Sequence, residues 1–511
     1  MEYIPQFEEL SFEQKIGQLF FARGPQLFAD ETSSMLEEGL IGGMQVAMAN
    51  CSADVSRVRK LSRFRLFVGA DMEDGDPPGA IDGVHLGTLG QLARLDSEVD
   101  AYNFAVHSAA FARAAGIDFN FGPVVDMVMN RLNPMVNIRS LGSSREQLLR
   151  LAAAMIKGYQ DNGMITSAKH YPGAGRGTCD PHIEPLTLAC SHEEFCNTEL
   201  ELYRQLSEQT NLSAVMTGHI AVPAIDGDTP ASCSAILTGE LRRAGFKGLL
   251  ISDSLAMRGI ALDGNTEKLF ERVLAAGHDL ILGDYRISPR KQLEYLIKAV
   301  ENGAVSEAQV DESVRKILHF KRKLAAFPAA KPDRQAAEAL AEKICRASVK
   351  ADFSYLPYTP PQAKQTLLVT CEDTDYQLDS AEIKSSSQSI LDKFTGRLQE
   401  KFPGFTRISC SADPYPYEIE SVLNHAAEFA GVIIVCTASS GCYKGTSDLS
   451  RRLLALIGGL RRKTAALLLI GNPMAAQDLP ELPLVVTYPS DSGYGLEILA
   501  EEFVKTMRQK I

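Results

Sequence analysis

The chain of 511 residues carries 64 acidic against 52 basic side chains, a formal net charge of −12, and is 45% hydrophobic. Its length exceeds that of one ordinary domain and predicts a barrel-sized unit of roughly 250 or more residues followed by a smaller one. The acidic balance argues against a nucleic-acid partner or an anionic membrane surface, and no apolar run reaches the length that spans a membrane.

The first residues and the cysteines indicate the compartment. The first 15 residues are acidic and lack an apolar core, so they do not resemble a signal peptide. The ten cysteines have irregular spacings and no CxxC pair, and several, such as Cys371 and Cys436, lie in apolar strand-like runs. Scattered thiols of this kind suit a reducing compartment better than a disulfide framework, so we expect a cytoplasmic protein.

Short apolar runs alternate with amphipathic helical patterns along the first three hundred residues. Helical periodicity is clearest over 97–115, 145–162 and 238–244. Eight runs separated in this way predict a (β/α)8 barrel. The predicted strands are 18–22, 40–46, 66–71, 117–121, 165–170, 214–219, 248–253 and 279–283.

Polar residues close several of these runs. Because the active site of a parallel barrel lies at the carboxyl ends of its strands, these residues are candidates for one site. A polar residue can also simply cap a strand, but five or more together favour the site. They are Asp71, Asp126, Lys169, His170, His219 and Asp253.

The composition changes after the barrel pattern. Helical patterns over 311–327 and 333–350 close the first domain, which we place at 1–350, and 351–364 contains a proline-rich linker. Residues 365–511 then show a second alternation of strands and helices, which predicts a smaller α/β sandwich. The predicted strands are 366–370, 406–410, 431–437, 465–470 and 484–488, with helices at 449–462 and 495–508.

The most informative stretch is 165–188, ITSAKHYPGAGRGTCDPHIEPLTL. An apolar strand ends in Lys169 and His170, and the three glycines and one proline that follow predict a turned or mobile loop. The loop delivers Asp180 and His182, separated only by Pro181. A cation, a carboxylate and two imidazoles at one strand-to-loop junction are typical of a catalytic site.

The segment KHYPGAGRGTCDPH resembles the K-H-F/Y-P-G-x-G-x-x-x-x-D-x-H signature of glycoside hydrolase family 3, in its β-N-acetylglucosaminidase branch. Further resemblances follow in the family's order: KIGQL at 15–19, NIRSLG at 137–142, MTGH at 216–219 and GLLISDSLAM at 248–257. The resemblance implies a retaining exo-acting β-N-acetylhexosaminidase that releases terminal N-acetylglucosamine, for instance from muropeptides, through a covalent glycosyl-aspartate.

The resemblance also assigns roles. Asp253 would be the nucleophile, and His182 would be the acid/base, oriented by Asp180. An imidazole with an unperturbed pKa near ~6.5 can both protonate a leaving oxygen and activate water. The implied sugar-binding residues are Asp71, Arg139, Lys169 and His170, with Asp126 and His219 as further candidates. The alternative interpretation is that Asp126 only fixes a neighbouring cation and that His219 is a satisfied strand-end histidine.

Some residues depart from the family pattern. Family members carry D-x-E-G-G-x-V-x-R after the strand that ends at Asp71, whereas this chain continues as DMEDGDPP and lacks the downstream arginine. Ala174 and Arg176 also differ from the usual loop. The departures lie at the rim that reads the leaving group, so they leave the natural leaving group open and not the chemistry. The alternative functions are a family 3 phosphorylase or β-glucosidase with the same site, and a degenerate non-catalytic sugar-binding protein.

We expect no cofactor. There is no H-x-H at a strand end and no H-E-x-x-H, and the GAGRG loop lacks the lysine of a nucleotide-binding loop. Zinc held by His170, His182, His219 and Asp253 is a minor alternative. The expected partner is a small carbohydrate, with the chain acting as a monomer or homodimer.

Overall fold

A computed structural model describes residues 2–23, 29–46, 51–75, 83–260, 264–372, 389–438, 447–490 and 492–509. They form two compact units. Unit 1 comprises Met1–Leu89, Asp96–Asn130 and Arg139–Glu338, and unit 2 comprises Gly90–Leu95, Arg131–Ile138 and Ala339–Ile511. Within these ranges, no helix combines the length and apolarity needed to cross a membrane.

Unit 1 is built on short parallel strands. Eight of them form one sheet in the order β10-β1-β2-β3-β4-β5-β7-β9, and β6 pairs separately with β8. A bridge between Ile251 and Leu280 brings the two outer strands together, so the sheet nearly closes into a barrel. The strands are β1 Phe20–Arg23, β2 Gly43–Gln45, β3 Phe67–Ala70, β4 Phe119–Asn120, β5 Ile165–Tyr171, β6 Leu186–Thr187, β7 Ala214–Thr217, β8 Ile220–Ala221, β9 Leu249–Ser252 and β10 Ile281–Leu282.

Phenylalanine rings fill the barrel. Phe21 packs edge-on against Phe119 and Phe121, with centroids 5.6 and 5.4 Å apart. Glycines make room for these rings: a Cβ on Gly43 would lie 2.5 Å from the ring of Phe21, and one on Gly69 would lie 2.6 Å from that of Phe121. The interior is therefore a packed core and not a channel, which leaves the strand ends as the place for a site.

Helices connect the strands of unit 1, and serine side chains start several of them. Ser97 accepts a hydrogen bond from the amide of Asp100, and Ser144 accepts one from that of Gln147. The helices are α1 Phe12–Leu19, α2 Ala29–Glu38, α3 Cys51–Leu61, α4 Leu89–Leu95, α5 Glu98–Ala114, α6 Arg145–Asp161, α7 His192–Phe195, α8 Glu201–Thr210, α9 Pro223–Asp226, α10 Ala235–Arg243, α11 Thr266–Ala275, α12 Pro289–Glu301, α13 Glu307–Ala325 and α14 Arg334–Ser348.

Unit 2 is a sheet of six strands in the order β11-β16-β15-β14-β12-β13, parallel except for β11. Apolar side chains of α15 and α18 cover one face, and those of α16 and α17 cover the other. The elements are β11 Lys350–Phe353, β12 Thr366–Glu372, α15 Ile390–Lys401, β13 Thr406–Ser411, α16 Pro416–Ala427, β14 Gly431–Ala438, α17 Arg451–Leu460, β15 Thr464–Gly471, β16 Leu484–Tyr488 and α18 Leu496–Met507.

These limits differ from the predicted ranges 1–350, 351–364 and 365–511 in three ways. The carboxyl-terminal part of α14 belongs to unit 2, because Cys345 lies in the core that covers the second sheet. The residues just before the proline-rich stretch form strand β11, which pairs with β16. Unit 2 also takes the segments Gly90–Leu95 and Arg131–Ile138 from within the first range.

Candidate active site

Lys169 lies at the centre of a charged group where β3 and β5 end. Its Nζ is 2.7 Å from Asp71 Oδ1 and 2.8 Å from Glu73 Oε1. Glu73 also accepts two hydrogen bonds from the guanidinium of Arg139, at 2.7 and 2.8 Å. Gln45, at the end of β2, donates to the other oxygen of Asp71 at 3.1 Å. Three strand ends and the Arg139 segment thus present alternating charges, which suit the hydroxyl groups of a sugar.

Glu73 and Lys169 stay ionised at neutral pH. Burial alone would raise the pKa of Glu73, but the charges and hydrogen bonds of Arg139 and Lys169 bring it well below its usual range. Burial would likewise lower the pKa of Lys169, but Asp71 and Glu73 hold it above its usual range. The Lys169 side chain is only 3% exposed while that of Asp71 is 49% exposed, so Asp71 is the member that faces solvent.

His170 is held by Asp126. Its ring Nδ1–H donates to Asp126 Oδ2 at 2.7 Å, and the backbone amides of His170 and Ala174 donate to Oδ1 at 3.1 and 2.7 Å. The Asp126 side chain is fully buried. Asp126 therefore fixes the imidazole and the start of the glycine-rich loop, and its geometry is that of a positioning residue.

Asp180 and His182 form a hydrogen-bonded pair. The Nδ1–H of His182 donates to Asp180 Oδ1 at 2.8 Å, and the backbone amide of His182 donates to the same oxygen at 2.8 Å. The Asp180 side chain is buried and that of His182 is partly exposed. This arrangement fixes the imidazole tautomer with Nδ1 protonated and directs proton exchange to Nε2.

The segment that carries this pair is anchored to two other strand ends. The backbone amides of Arg258 and Gly259 donate to the carbonyls of His182 and Pro181 at 3.4 and 3.0 Å. Further along, β6 pairs with β8, just beyond His219. The loop, which the sequence predicted to be turned or mobile, is docked in this structure onto the segments that follow β7 and β9.

Asp253 directly follows β9. Its backbone amide continues the strand by donating to Thr217 O at 2.9 Å, and its Oδ1 accepts from the backbone amide of Ser254 at 2.6 Å. Burial raises the pKa of Asp253, but the nearby His170, His219, the Ser254 amide and Lys169 lower it below its usual value overall. The group is thus a carboxylate at neutral pH, as a nucleophile must be.

His219 is enclosed by protein partners. Its Nδ1 lies 2.8 Å from Ser232 Oγ, and its Nε2 lies 2.8 Å from the carbonyl of Ser254. Burial lowers its pKa, offset in part by Asp253. A neutral ring that donates from Nε2 and accepts at Nδ1 satisfies both contacts. Of the two interpretations open from the sequence, the geometry favours a satisfied strand-end histidine, because both ring nitrogens are engaged.

The structure brings the predicted residues to one end of the barrel and adds others. Glu73, Gln45 and Ser254 were not identified from the sequence. Glu73 had a signal, since it occupies the glutamate of D-x-E, whereas Gln45 and Ser254 had none. Among the described residues no cluster of histidine, cysteine and carboxylate side chains has a metal-binding arrangement. Arg176 pairs with Glu199 at 2.6 Å, and residues 76–78 of the departing motif lie outside the described residues.

Sequence comparison places these residues in a known context. Residues 11–320 match the family described as glycosyl hydrolase family 3 N terminal domain. A β-N-acetylglucosaminidase/β-glucosidase of Cellulomonas fimi is 29% identical over 332 residues, which span 62% of this chain and 58% of that enzyme. A β-hexosaminidase of Tolumonas auensis is 31% identical over 271 residues, or 51% of this chain and 80% of the relative.

Structure comparison gives the same result for the fold. A glycoside hydrolase family 3 β-N-acetylglucosaminidase from Paenibacillus sp. str. FPU-7 superposes with a TM-score of 0.84 at 23% identity, covering 97% of each chain. A β-glucoside phosphorylase superposes with a TM-score of 0.81 at 22% identity, covering 98% of this chain and 92% of the other. The predicted barrel with a smaller second domain is confirmed.

Proposed function

The chain belongs to glycosyl hydrolase family 3, and on this premise we propose that it is an exo-acting retaining β-N-acetylhexosaminidase that releases terminal N-acetylglucosamine. The observation that carries the proposal is the 2.8 Å hydrogen bond from His182 Nδ1 to the buried Asp180. The relatives named β-hexosaminidase and β-N-acetylglucosaminidase support it.

In the first step, Asp253 attacks the anomeric carbon while His182 protonates the departing glycosidic oxygen from Nε2. The lowered pKa of Asp253 keeps the nucleophile ionised, and Asp180 stabilises the cationic imidazole that precedes transfer. The bond to the leaving group breaks as the glycosyl-aspartate bond forms, with retention set by the two inversions of a double displacement.

In the second step, water attacks the glycosyl-aspartate. His182, now neutral, takes a proton from the water and returns to its charged state, and Asp253 leaves as a carboxylate. The sugar hydroxyls bind Asp71, Arg139 and Lys169, and His170 binds from its position on Asp126. The proposed sugar pocket therefore uses fixed charges, while the proton moves only at His182.

Two features support a second candidate activity, phosphorolysis or β-glucoside cleavage at the same site. One relative is named for both N-acetylglucosaminidase and β-glucosidase activity, and one structural neighbour is a β-glucoside phosphorylase. A neutral histidine, unlike a carboxylate, does not repel an incoming phosphate. Turnover in phosphate compared with phosphate-free buffer, with analysis of the sugar product, separates phosphorolysis from hydrolysis.

A panel of p-nitrophenyl glycosides tests the main proposal. We expect turnover of the β-N-acetylglucosaminide to exceed that of the β-N-acetylgalactosaminide, β-glucoside and β-xyloside. Preference for β-glucoside would favour the second candidate, and no turnover of any glycoside would indicate the degenerate sugar-binding alternative.

We also propose that muropeptide fragments are substrates, which assays on muropeptides test. We further propose that the protein acts in the cytoplasm, because its buried Cys371 and Cys436 thiols suit a reducing compartment; cell fractionation tests this.

A further inference from the structure

Three thiols form a row across the sheet of unit 2. Cys371 on β12 is opposite Cys410 on β13 and, on its other side, opposite Cys436 on β14. Their side chains point to the same face of the sheet and lie in one core, the one that α16 and α17 cover. All three are free cysteines, and the glycosidase reaction proposed above uses none of them.

The sulfur atoms of this row differ in their contacts. The Sγ atoms of Cys371 and Cys410 are 3.5 Å apart, whereas Cys436 makes no comparable sulfur–sulfur contact within the described residues. Neighbouring strands lie about 4.8 Å apart, which is within the range of Cα separations that a disulfide bridges. Because an S–S bond is about 2.05 Å long, the two sulfurs need to approach by only about 1.5 Å.

The close pair lies at an edge of the sheet. β13 is the outermost strand on its side, and Cys410 is 6% exposed, between the exposed Ser409 and the half-buried Ser411. Cys371 and Cys436 lie further inside and are fully buried. A small neutral oxidant such as hydrogen peroxide would therefore reach Cys410 first, with the Cys371 thiol directly behind it.

The contact also makes one thiol more acidic than the other. The hydrogen bond with Cys371 lowers the pKa of the Cys410 thiol, although burial and Glu418 oppose this shift. The same hydrogen bond and burial raise the pKa of Cys371 well above its usual value, and burial raises the pKa of Cys436 to about 12. Since the thiolate is the reactive form, Cys410 is the nucleophile of the row, and Cys371 keeps its proton.

We propose that Cys410 and Cys371 form a peroxide-sensitive dithiol that closes a reversible disulfide between β13 and β12. The Cys410 thiolate attacks one oxygen of hydrogen peroxide, the O–O bond breaks, and Cys410 becomes a sulfenic acid while the departing hydroxide takes up a proton to form water. The Cys371 sulfur then attacks the Cys410 sulfur, and the hydroxyl group leaves with the thiol proton as a second water. Two thiols are thus oxidised as one peroxide is reduced, and a dithiol reductant reverses the reaction.

Peptide mapping of the wild-type protein tests this pairing. The protein is exposed to hydrogen peroxide at a concentration that leaves its circular dichroism unchanged, its remaining thiols are alkylated, and its peptides are analysed by mass spectrometry without reduction. We expect a linked peptide that joins Cys371 to Cys410 in most chains and that dithiothreitol removes. A link from Cys371 to Cys436, or thiols that stay reduced until the protein unfolds, would overturn the proposal and leave the row as core packing.

Cys371→Ala tests the order of the two steps. Without the second thiol, the sulfenic acid of Cys410 has no partner, so its labelling by dimedone should rise several-fold above wild type. Cys436→Ala is the matched control, because it removes the other neighbour of Cys371 from the same core; the linked peptide should form as in wild type. Equal dimedone labelling of Cys410 in wild type and Cys371→Ala would overturn the role of Cys371. Should either variant fail to fold, the mapping of the wild-type protein still decides the proposal.

This inference does not depend on the proposed function, because mass spectrometry detects the sulfur atoms directly. A protein that cleaves no glycoside but forms the Cys371–Cys410 disulfide would overturn the proposed function alone. A protein that cleaves the N-acetylglucosaminide but forms no such disulfide would overturn the dithiol alone.

Discussion

At the scale of single residues, Ser254 organises the nucleophile without being a candidate to touch the sugar. Its amide donates to Asp253, its carbonyl lies 2.8 Å from His219 Nε2, and its hydroxyl accepts from Arg23. Three atoms of one residue thus connect the nucleophile to a buried neutral imidazole and to a guanidinium. Nothing in the sequence distinguishes this serine from any other, because its role depends on partners 35 and 231 residues away along the chain.

Asp253→Ala should abolish turnover and leave the fold intact. The side chain lies beyond the last residue of β9 and, within the described part of the chain, accepts a hydrogen bond from the Ser254 amide, so little packing is lost. A slow substrate with a good leaving group should label Asp253 in the wild-type protein. Mass spectrometry of the trapped protein checks this, and a label on another residue would refute the assignment of the nucleophile.

His182→Ala should harm substrates with poor leaving groups far more than p-nitrophenyl substrates. A good leaving group departs without protonation, so only hydrolysis of the glycosyl-aspartate still needs the imidazole. The loss for a poor leaving group should be about 10²–10⁴-fold. Azide should rescue part of the p-nitrophenyl rate by replacing activated water.

Asp180→Asn should show the same pattern more mildly, because the imidazole remains while its tautomer is no longer enforced. Steady-state kinetics with a series of aryl glycosides of graded leaving-group acidity measures both variants. Equal damage to good and poor leaving groups without azide rescue would mean that His182 only binds sugar or shapes its loop.

At the scale of elements, the docking of the Asp180–His182 segment depends on the absence of a side chain at Gly259. A Cβ there would lie 2.5 Å from Pro181 O and 3.0 Å from Glu184 O. Gly259→Ala should therefore displace the segment from the turn that follows Asp253. We expect kcat/KM for poor leaving groups to fall by about 10–100-fold, and less for p-nitrophenyl substrates, because the proton donor moves while the nucleophile stays.

Gly458→Ala on α17 is the control, since a Cβ there meets nothing within 4 Å. Thermal unfolding of both variants should match wild type within a few degrees. A large fall in the unfolding temperature of Gly259→Ala, with equal loss on all substrates, would show a general packing defect instead of a misplaced segment.

The sequence predicted strands and helices well where a single physical rule determined their pattern. Each of the eight barrel runs contains a strand, because buried parallel strands are continuous apolar stretches. The first prediction began too early, since Gln18 and Leu19 continue helix α1, which Ser11 caps. Strands β6 and β8 have only two residues each and carry no periodicity. The β11 strand was missed because its pairing partner lies more than a hundred residues away.

The sequence predicted those site residues that lie together in one motif. The spacing of Lys169, His170, Asp180 and His182 was readable in one stretch, and the structure pairs the last two as expected. The partnership of Glu73 with Lys169 and Arg139 was not readable, because three separate segments must fold before these charges meet. The enclosure of His219 by protein partners was likewise not readable, because one of these partners is Ser232, 13 residues further along the chain.

At the scale of the whole molecule, the barrel contains a buried lysine that opposes its stability at neutral pH. Lys321 on α13 is 1% exposed, donates to Gln18 Oε1 at 2.7 Å and has no carboxylate partner at ion-pair distance in the described part of the chain. Burial lowers its pKa from 10.5 to about 7. Between these two values the unfolded chain binds more protons than the folded protein, so the free energy of unfolding rises with pH.

Lys321→Met should remove this rise. Between pH 7 and pH 9 the wild-type protein should gain roughly 1–3 kcal/mol relative to the variant, and the variant should be the more stable of the two near pH 7. Urea unfolding at both pH values measures the difference. Lys323→Met, which alters an exposed lysine of the same helix, should follow wild type, and a parallel pH response in Lys321→Met would disprove the assignment.

The docking of the Asp180–His182 segment on both β8 and the Arg258–Ile260 turn determines which catalytic group is lost first in mild denaturant. The segment owes its position to hydrogen bonds with two other loops, whereas Asp253 continues directly from a buried strand. Mild denaturant should therefore release the segment before the barrel melts, because local opening involves the elements with the fewest buried contacts first. Molecules in that state would still form the glycosyl-aspartate from an activated donor but would not hydrolyse it. A preparation in mild denaturant should therefore release a burst of one leaving group per chain, followed by no further turnover.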